Sequence, residues 1–188
     1  FHVLPVWCVA KDGCLMAVIE AIATTYLEAD AASVTFSSIP ATYEHLQVRF
    51  TIRGMRTNST NSTEVRLNGD TGTNYSGHVM YGSGGNAYAF GSTGLGYLGY
   101  SGVLLTPAGT KPAGSYASCV LDILDYANTN KNTTAVFNWG VDLGTYGNAT
   151  FMSSVWDNTA AVNEVSFTMN PTYDTARGSS FTLYGIQE

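Results

Sequence analysis

Charge is what this chain has least of. Asp, Glu, Lys and Arg make up 12% of its 188 residues, about half of the ~25% usual in soluble domains. Eight basic residues stand against 14 acidic ones, for a formal net charge of -6. That balance excludes a phosphate backbone as the main partner, because non-specific nucleic-acid binding rests on clustered Lys and Arg. Cysteine is scarce too. Cys8, Cys14 and Cys119 cannot all pair within one chain, and they lack the C-x-x-C spacing of a redox or zinc site, so reduced, buried thiols are expected. The three histidines, His2, His45 and His78, are scattered and read as surface or structural groups rather than metal ligands. No apolar run reaches the ~18 residues that span a bilayer, so no membrane partner is expected.

Signatures of chemistry are equally sparse. No segment matches the G-x-S-x-G of a nucleophile elbow. Gly94 to Gly99 fits G-x-G-x-x-G, but YSGVLLTP follows instead of the helix whose N-terminus holds a pyrophosphate. Asp70, Asp122, Asp125, Asp142, Asp157 and Asp174 could include a glycosidase pair only if the fold set two of them at the right separation, and Asp122 and Asp125 read as strand-edge or turn carboxylates. The loop Asn68 to Asn74 has closely spaced oxygen donors without the closing Glu of a calcium loop, which favours an Asx turn. Five N-x-S/T sequons, at Asn58, Asn61, Asn74, Asn132 and Asn148, read as exposed polar loops. No catalytic residue, metal or cofactor is assigned.

What the chain has is alternation. In HLQVRFTIR, residues 45–53, Leu46, Val48, Phe50 and Ile52 alternate with polar neighbours, the mark of a strand with one buried face. Glu64 to Leu67 resumes the pattern before the turn signal Asn68-Gly69-Asp70. Residues 45–67 are therefore expected to form an antiparallel pair joined by a long polar loop. Further strands are expected at 33–38, 76–81, 86–90, 102–106, 115–126, 133–139, 149–155, 162–169 and 179–186. Nine or ten short strands with frequent turns and no βαβ units predict an all-β antiparallel sandwich, jelly-roll-like, over residues 16–188. Residues 16–33 are ambiguous. Ile19, Ile22, Ala23, Tyr26 and Leu27 form a helical stripe, while Val18, Ile22, Thr24, Thr25 and Tyr26 suit a strand from 18 to 26; strand is preferred because the rest of the fold offers partners.

Residues 1–15 read as a short N-terminal arm or upstream extension, since Met16 is itself a natural start and the segment lacks the basic leading region and cleavage site of a secretory signal. Phe1, Val3, Leu4, Val6 and Trp7 are its candidates for adding to a neighbour's sheet or groove. Residues 81–102 hold eight glycines along with Tyr81, Tyr88, Phe90, Tyr97 and Tyr100. Gly in strand interiors costs about 0.5–1 kcal/mol, so a large loop or irregular hairpin is expected, with aromatic rings turned outward for sugar stacking or subunit packing. Four of the five arginines, Arg49, Arg53, Arg56 and Arg66, fall in the first strand pair. Arg49 and Arg53 share an outward face and Arg66 is expected opposite, near Glu64. Together they make either a solubilising face with cross-strand ion pairs or a basic patch for an acidic partner.

SVTFSSIP at 33–40, HLQVRF, LNGDTGTNY at 67–75, LDILDYANTNKNTT at 121–134 and GSSFTLYGI at 178–186 together resemble small β-rich virion proteins of tailed bacteriophages, including phages of cyanobacteria. The likeness runs from about Met16 to the C-terminus and includes no catalytic signature. It implies a jelly-roll-like structural protein assembled in the bacterial cytoplasm and carried on the outside of the virion. The leading expectation is a capsid cement or decoration protein that binds the major capsid protein lattice, as a homotrimer with identical copies. The alternative is a tail-fibre or receptor-binding module that recognises host polysaccharide.

Overall fold

The computed structural model describes residues 18–57, 60–100, 104–144, 147–169 and 173–187; residues 1–15, the expected arm, lie outside them. Along the chain run β1 (Val18–Tyr26), β2 (Ser33–Phe36), β3 (His45–Ile52), β4 (Thr60–Leu67), β5 (Tyr75–Ser83), β6 (Asn86–Leu95), β7 (Leu105–Pro107), β8 (Ala117–Leu124), β9 (Thr133–Asp142), β10 (Gly147–Trp156), β11 (Val165–Met169) and β12 (Ser180–Gln187). All pairings are antiparallel. An eight-stranded sheet has the order β1-β12-β3-β8-β9-β10-β5-β6, and a four-stranded sheet the order β2-β11-β4-β7. The chain is thus an all-β sandwich with one sheet twice as wide as the other.

Alternation explains the layers. In β3, Leu46, Val48, Phe50 and Ile52 point inward while Gln47, Arg49 and Thr51 point out, as a period of two requires. Phe50 and Phe181 of the wide sheet meet Phe167 of the narrow one, with ring centroids 4.9 Å (Phe50 to Phe167), 5.2 Å (Phe167 to Phe181) and 5.3 Å (Phe50 to Phe181) apart. Trp139 packs edge-on to Phe50 at 5.7 Å. Burying an aromatic side chain of this size stabilises by about 1.5–3 kcal/mol, and stacked or edge-on pairs add about 0.5–1.5 kcal/mol. The narrow sheet covers only the middle of the wide one. Consequently β6 is exposed on both faces along most of its length, and β1 is mostly exposed.

Three expectations are corrected. First, β3 and β4 are not partners: β3 lies between β12 and β8 in the wide sheet, and β4 between β11 and β7 in the narrow one. The polar loop crosses the sandwich because both strands need a buried face, and each finds it from opposite sides of the core. Second, residues 81–95 are no irregular loop. They complete a regular hairpin in which β5 and β6 pair from Ser76–Thr93 to Ser83–Asn86 without a register shift, around a turn with Gly84 at φ +57. Third, sequons are not all in exposed loops, since Asn61 and Asn148 are buried within β4 and β10. The segment 18–26 is a strand, as preferred, pairing with β12 across a bulge between Ala21 and Ala23.

Candidate interaction surface

The register of the wide sheet lines its outward side chains up in rows across all eight strands. One row runs Thr24, Thr182, Arg49, Val120, Asn138, Phe151, Met80, Ala89. The next runs Tyr26, Ser180, Thr51, Ser118, Gly140, Ala149, Gly82, Ala87. A third runs Ala21, Tyr184, Gln47, Asp122, Val136, Ser153, His78, Gly91. The rows change character between β8 and β9.

On the β1-β12-β3-β8 half, polar groups satisfy one another. Gln47 Nε2 donates to Asp122 Oδ1 at 2.7 Å, and Arg49 Nε donates to Gln47 Oε1 at 2.6 Å. The Arg49 guanidinium also lies 5.2 Å from the Tyr184 ring centroid, a cation–π contact. Hydroxyl pairs Thr24–Thr182 and Thr51–Ser180 close at 3.1 and 3.0 Å.

On the β9-β10-β5-β6 half, the only charged residue is Asp142, at the end of β9. Met80 and Phe151, paired across β5 and β10, are 60% and 48% exposed. Beside them the row of Ser118, Gly140, Ala149, Gly82 and Ala87 forms the floor of a shallow groove of about 630 Å³. Exposed large apolar side chains set side by side on a nearly uncharged face are a candidate binding surface. The signal was present in the sequence: residues 71–110 contain no Asp, Glu, Lys or Arg.

Two glycines of the hairpin, Gly91 on the outer face and Gly77 on the buried one, lie close to side chains of the neighbouring strands. A Cβ on Gly91 would come 2.6 Å from the His78 imidazole, and one on Gly77 would come 3.0 Å from Ser154 Oγ. At Gly77 the neighbouring Ser154 is buried and would have to give by a few tenths of an ångström, whereas the exposed His78 ring opposite Gly91 can swing aside. The hairpin is anchored at its base by Asp70. Gly72 N–H donates to Asp70 Oδ1 at 2.8 Å, while Asn74 Nδ2 and Trp156 Nε1 donate to Oδ2 at 2.9 and 2.7 Å. This is the expected Asx turn, following a turn in which Asn68 and Gly69 both have positive φ. Hydrogen bonds from Asn74, Gly72 and Trp156 hold the Asp70 carboxyl below its usual range. Tyr75 stacks on Trp156, and burial pushes its hydroxyl up to about 12.

The expected aromatic group gathers on the face of the hairpin that Met80 does not share, where its rings are exposed or half-buried. Tyr81, Tyr88 and Phe90 lie on the opposite, inner face of the hairpin. Tyr81 stacks on Tyr88 at 4.9 Å, and Phe90 packs edge-on to Tyr100 at 4.5 Å. Tyr97 lies under the Arg66 guanidinium at 5.9 Å. These rings touch one another, and Tyr88 and Phe90 still keep 44% and 36% of their surface open. The arginines do not assemble either. Arg53 is pinned, with Nη1 donating to the carbonyls of Pro112 and Ser115 and Nη2 to that of Lys111. Arg66 sits in the narrow sheet, on the opposite side of the molecule from Arg49, and pairs with Glu64 at 2.7 Å. The Glu64 contact is as expected, but Arg66 does not lie opposite Arg49 and Arg53, because β3 and β4 belong to different sheets.

Among the ionisable groups, Glu44, His45 and Asp125 bring ligand-type atoms within 4.8 Å of one another. Their contacts are internal: Asp125 N–H donates to His45 Nδ1 at 3.0 Å, and Lys131 Nζ pairs with Asp125 Oδ2. The Lys131 partner holds the Asp125 carboxyl below its usual range. The cluster closes the β8–β9 connection. Cys119 is a free, buried thiol, and burial raises it well above its usual value, which keeps it protonated and inert; Cys8 and Cys14 lie outside the described residues. Of the sequence candidates, Phe1, Val3, Leu4, Val6 and Trp7 also lie outside them. No helix among the described residues is long and apolar enough to cross a membrane. A search of family models, of curated proteins and of solved structures finds no match to this chain.

Proposed function

We infer that the protein is a structural subunit of a phage virion, in first place a capsid cement or decoration protein that docks on the outside of the major capsid protein lattice beside identical copies. The observation that carries this reading is the nearly uncharged outer face of β9-β10-β5-β6, whose one acidic residue, Asp142, stands at the end of β9, with Met80 and Phe151 exposed at its centre. Such a face suits a broad, weakly ionic contact that buries area without desolvating charges. Binding of this kind stabilises whichever state of a shell presents the matching surface. The resemblance of the sequence segments to phage virion proteins supplies the setting.

The glycan-binding alternative draws less support, because Tyr81 stacks on Tyr88 while Phe90 packs edge-on with Tyr81 and Tyr100, which leaves Tyr88 and Phe90 only partly open to a sugar ring. The test is co-sedimentation of the full chain with phage heads stripped of their decoration proteins. Saturable binding is expected, lost on replacing Met80 and Phe151 by Glu. Absence of binding, or binding indifferent to both substitutions, would overturn the reading.

A further inference from the structure

The four sheet edges of this sandwich are not alike. An exposed edge strand presents unpaired N–H and C=O groups that recruit other strands, and monomeric proteins blunt it with charge, proline, bulges or brevity. Three edges here are blunted. β1 carries Glu20 and a bulge between Ala21 and Ala23. β2 has only four residues, and β7 only three, ending in Pro107. The fourth edge is bare. β6 has ten residues, NAYAFGSTGL, without charge or proline, and its register with β5 is unbroken from Asn86 to Thr93. Among the described residues no strand lies beyond it.

We propose that β6 pairs with β6 of a second copy, antiparallel about a two-fold axis, to make one continuous sheet of eight strands from each copy. A second copy fits this edge for three reasons. First, an antiparallel two-fold lets one strand satisfy its own counterpart, residue for residue, so every copy brings the complement it needs. Second, the chain carries a net charge of -6, so approach of two copies is opposed wherever acidic residues meet, and the β5–β6 hairpin has no charged residue at all. Third, the flanking side chains match in kind. Tyr88 and Phe90, 44% and 36% exposed, stand on one face to meet aromatic counterparts, and the small Ala87 and Ala89 on the other leave room for close approach. Cross-strand aromatic pairs of this kind stabilise by about 0.2–1 kcal/mol each. Ten residues at ~3.4 Å each give an edge about 34 Å long, room for an unbroken ladder with a second copy.

The contact needs the edge alone and holds in any setting of the protein. It uses none of the remaining surface, so it joins trimers in pairs as readily as it joins single chains. Sedimentation equilibrium of the full chain tests it. The expected mass is an even multiple of 20.0 kDa, halved by Ala89→Lys and by Ala87→Lys and unchanged by Ala89→Ser, with the far-ultraviolet circular dichroism of all variants unchanged. Amides of residues 86–93 should also exchange more slowly in concentrated than in dilute solution, a readout that needs no substitution. An odd multiple up to the solubility limit, or a mass that both lysine variants leave intact, overturns the proposal. Failure there leaves head binding unaffected, since that reading rests on Met80 and Phe151.

Discussion

The two halves of the wide sheet's outer face share a backbone plan and differ in what their side chains do. From β1 to β8, donors and acceptors close on one another, as in the run from Asp122 through Gln47 to Arg49 over Tyr184. From β9 to β6, exposed Met80 and Phe151 stand over a floor of Gly, Ala and Ser with no ionic group among them. A face whose polar groups are mutually satisfied is finished against water. The other exposes apolar area that folding of the single chain does not bury. Since the same strands β9 and β10 carry core residues Phe137, Trp139 and Met152 on their inner side, the outer apolar residues are not there for lack of a core.

The sharpest way to separate core from surface is to truncate on either side of the sheet. Phe167→Ala removes the ring that joins Phe50 and Phe181 across the sandwich, and should cost about 3–5 kcal/mol, measured by urea unfolding. The double change Met80→Glu with Phe151→Glu should leave stability within about 0.5 kcal/mol, as for surface positions generally, and yet remove association. Stability that falls as far as in Phe167→Ala would erase the distinction between the halves.

A smaller effect probes the anchor at the base of the hairpin. The Asp70 carboxyl is held below its ordinary value of 3.8, so the unfolded chain binds its proton more readily than the folded one. The stability it contributes is therefore complete above that value and is lost as pH falls below it toward the lowered folded value. Asp70→Asn should lower the melting temperature near neutral pH by a few degrees, as one buried donor loses its acceptor, and flatten the acid limb of a plot of stability against pH. An acid limb as steep as in the original chain would show that other carboxylates govern it. The smallest effect is expected on the polar half: Arg49→Ala should change stability by under about 1 kcal/mol, less at high salt, as for exposed charged pairs.

How much of this the sequence disclosed depends on the kind of information sought. Alternation in β3 and at the end of β4 declared which residues point inward, because a period of two fixes faces. It did not declare partners. Nothing in HLQVRFTIR distinguishes pairing with residues 60–67 from pairing with residues 117–124 and 180–187, since register and neighbour are set by the whole sheet. The glycine-rich hairpin misled for a related reason. Gly91 and Gly77 look like breaks when read by propensity, but they are where His78 and Ser154 cross the backbone. The uncharged face was legible as a charge-free stretch from 71 to 110, although its other contributor, β10, lies far along the chain. Buried Asn61 and Asn148 gave no local sign, as a sequon reads alike in a loop and in a strand.

Hydroxyl-radical footprinting of the protein, free and bound to phage heads, addresses the uncharged half most directly, because thioether oxidation reports exposure of Met80. Met80 and Phe151 should react readily in the free chain and lose most of that reactivity on binding, while Tyr184 and Tyr26 on the polar half keep theirs. Protection of Tyr184 and Tyr26 with Met80 and Phe151 still reactive would contradict the account.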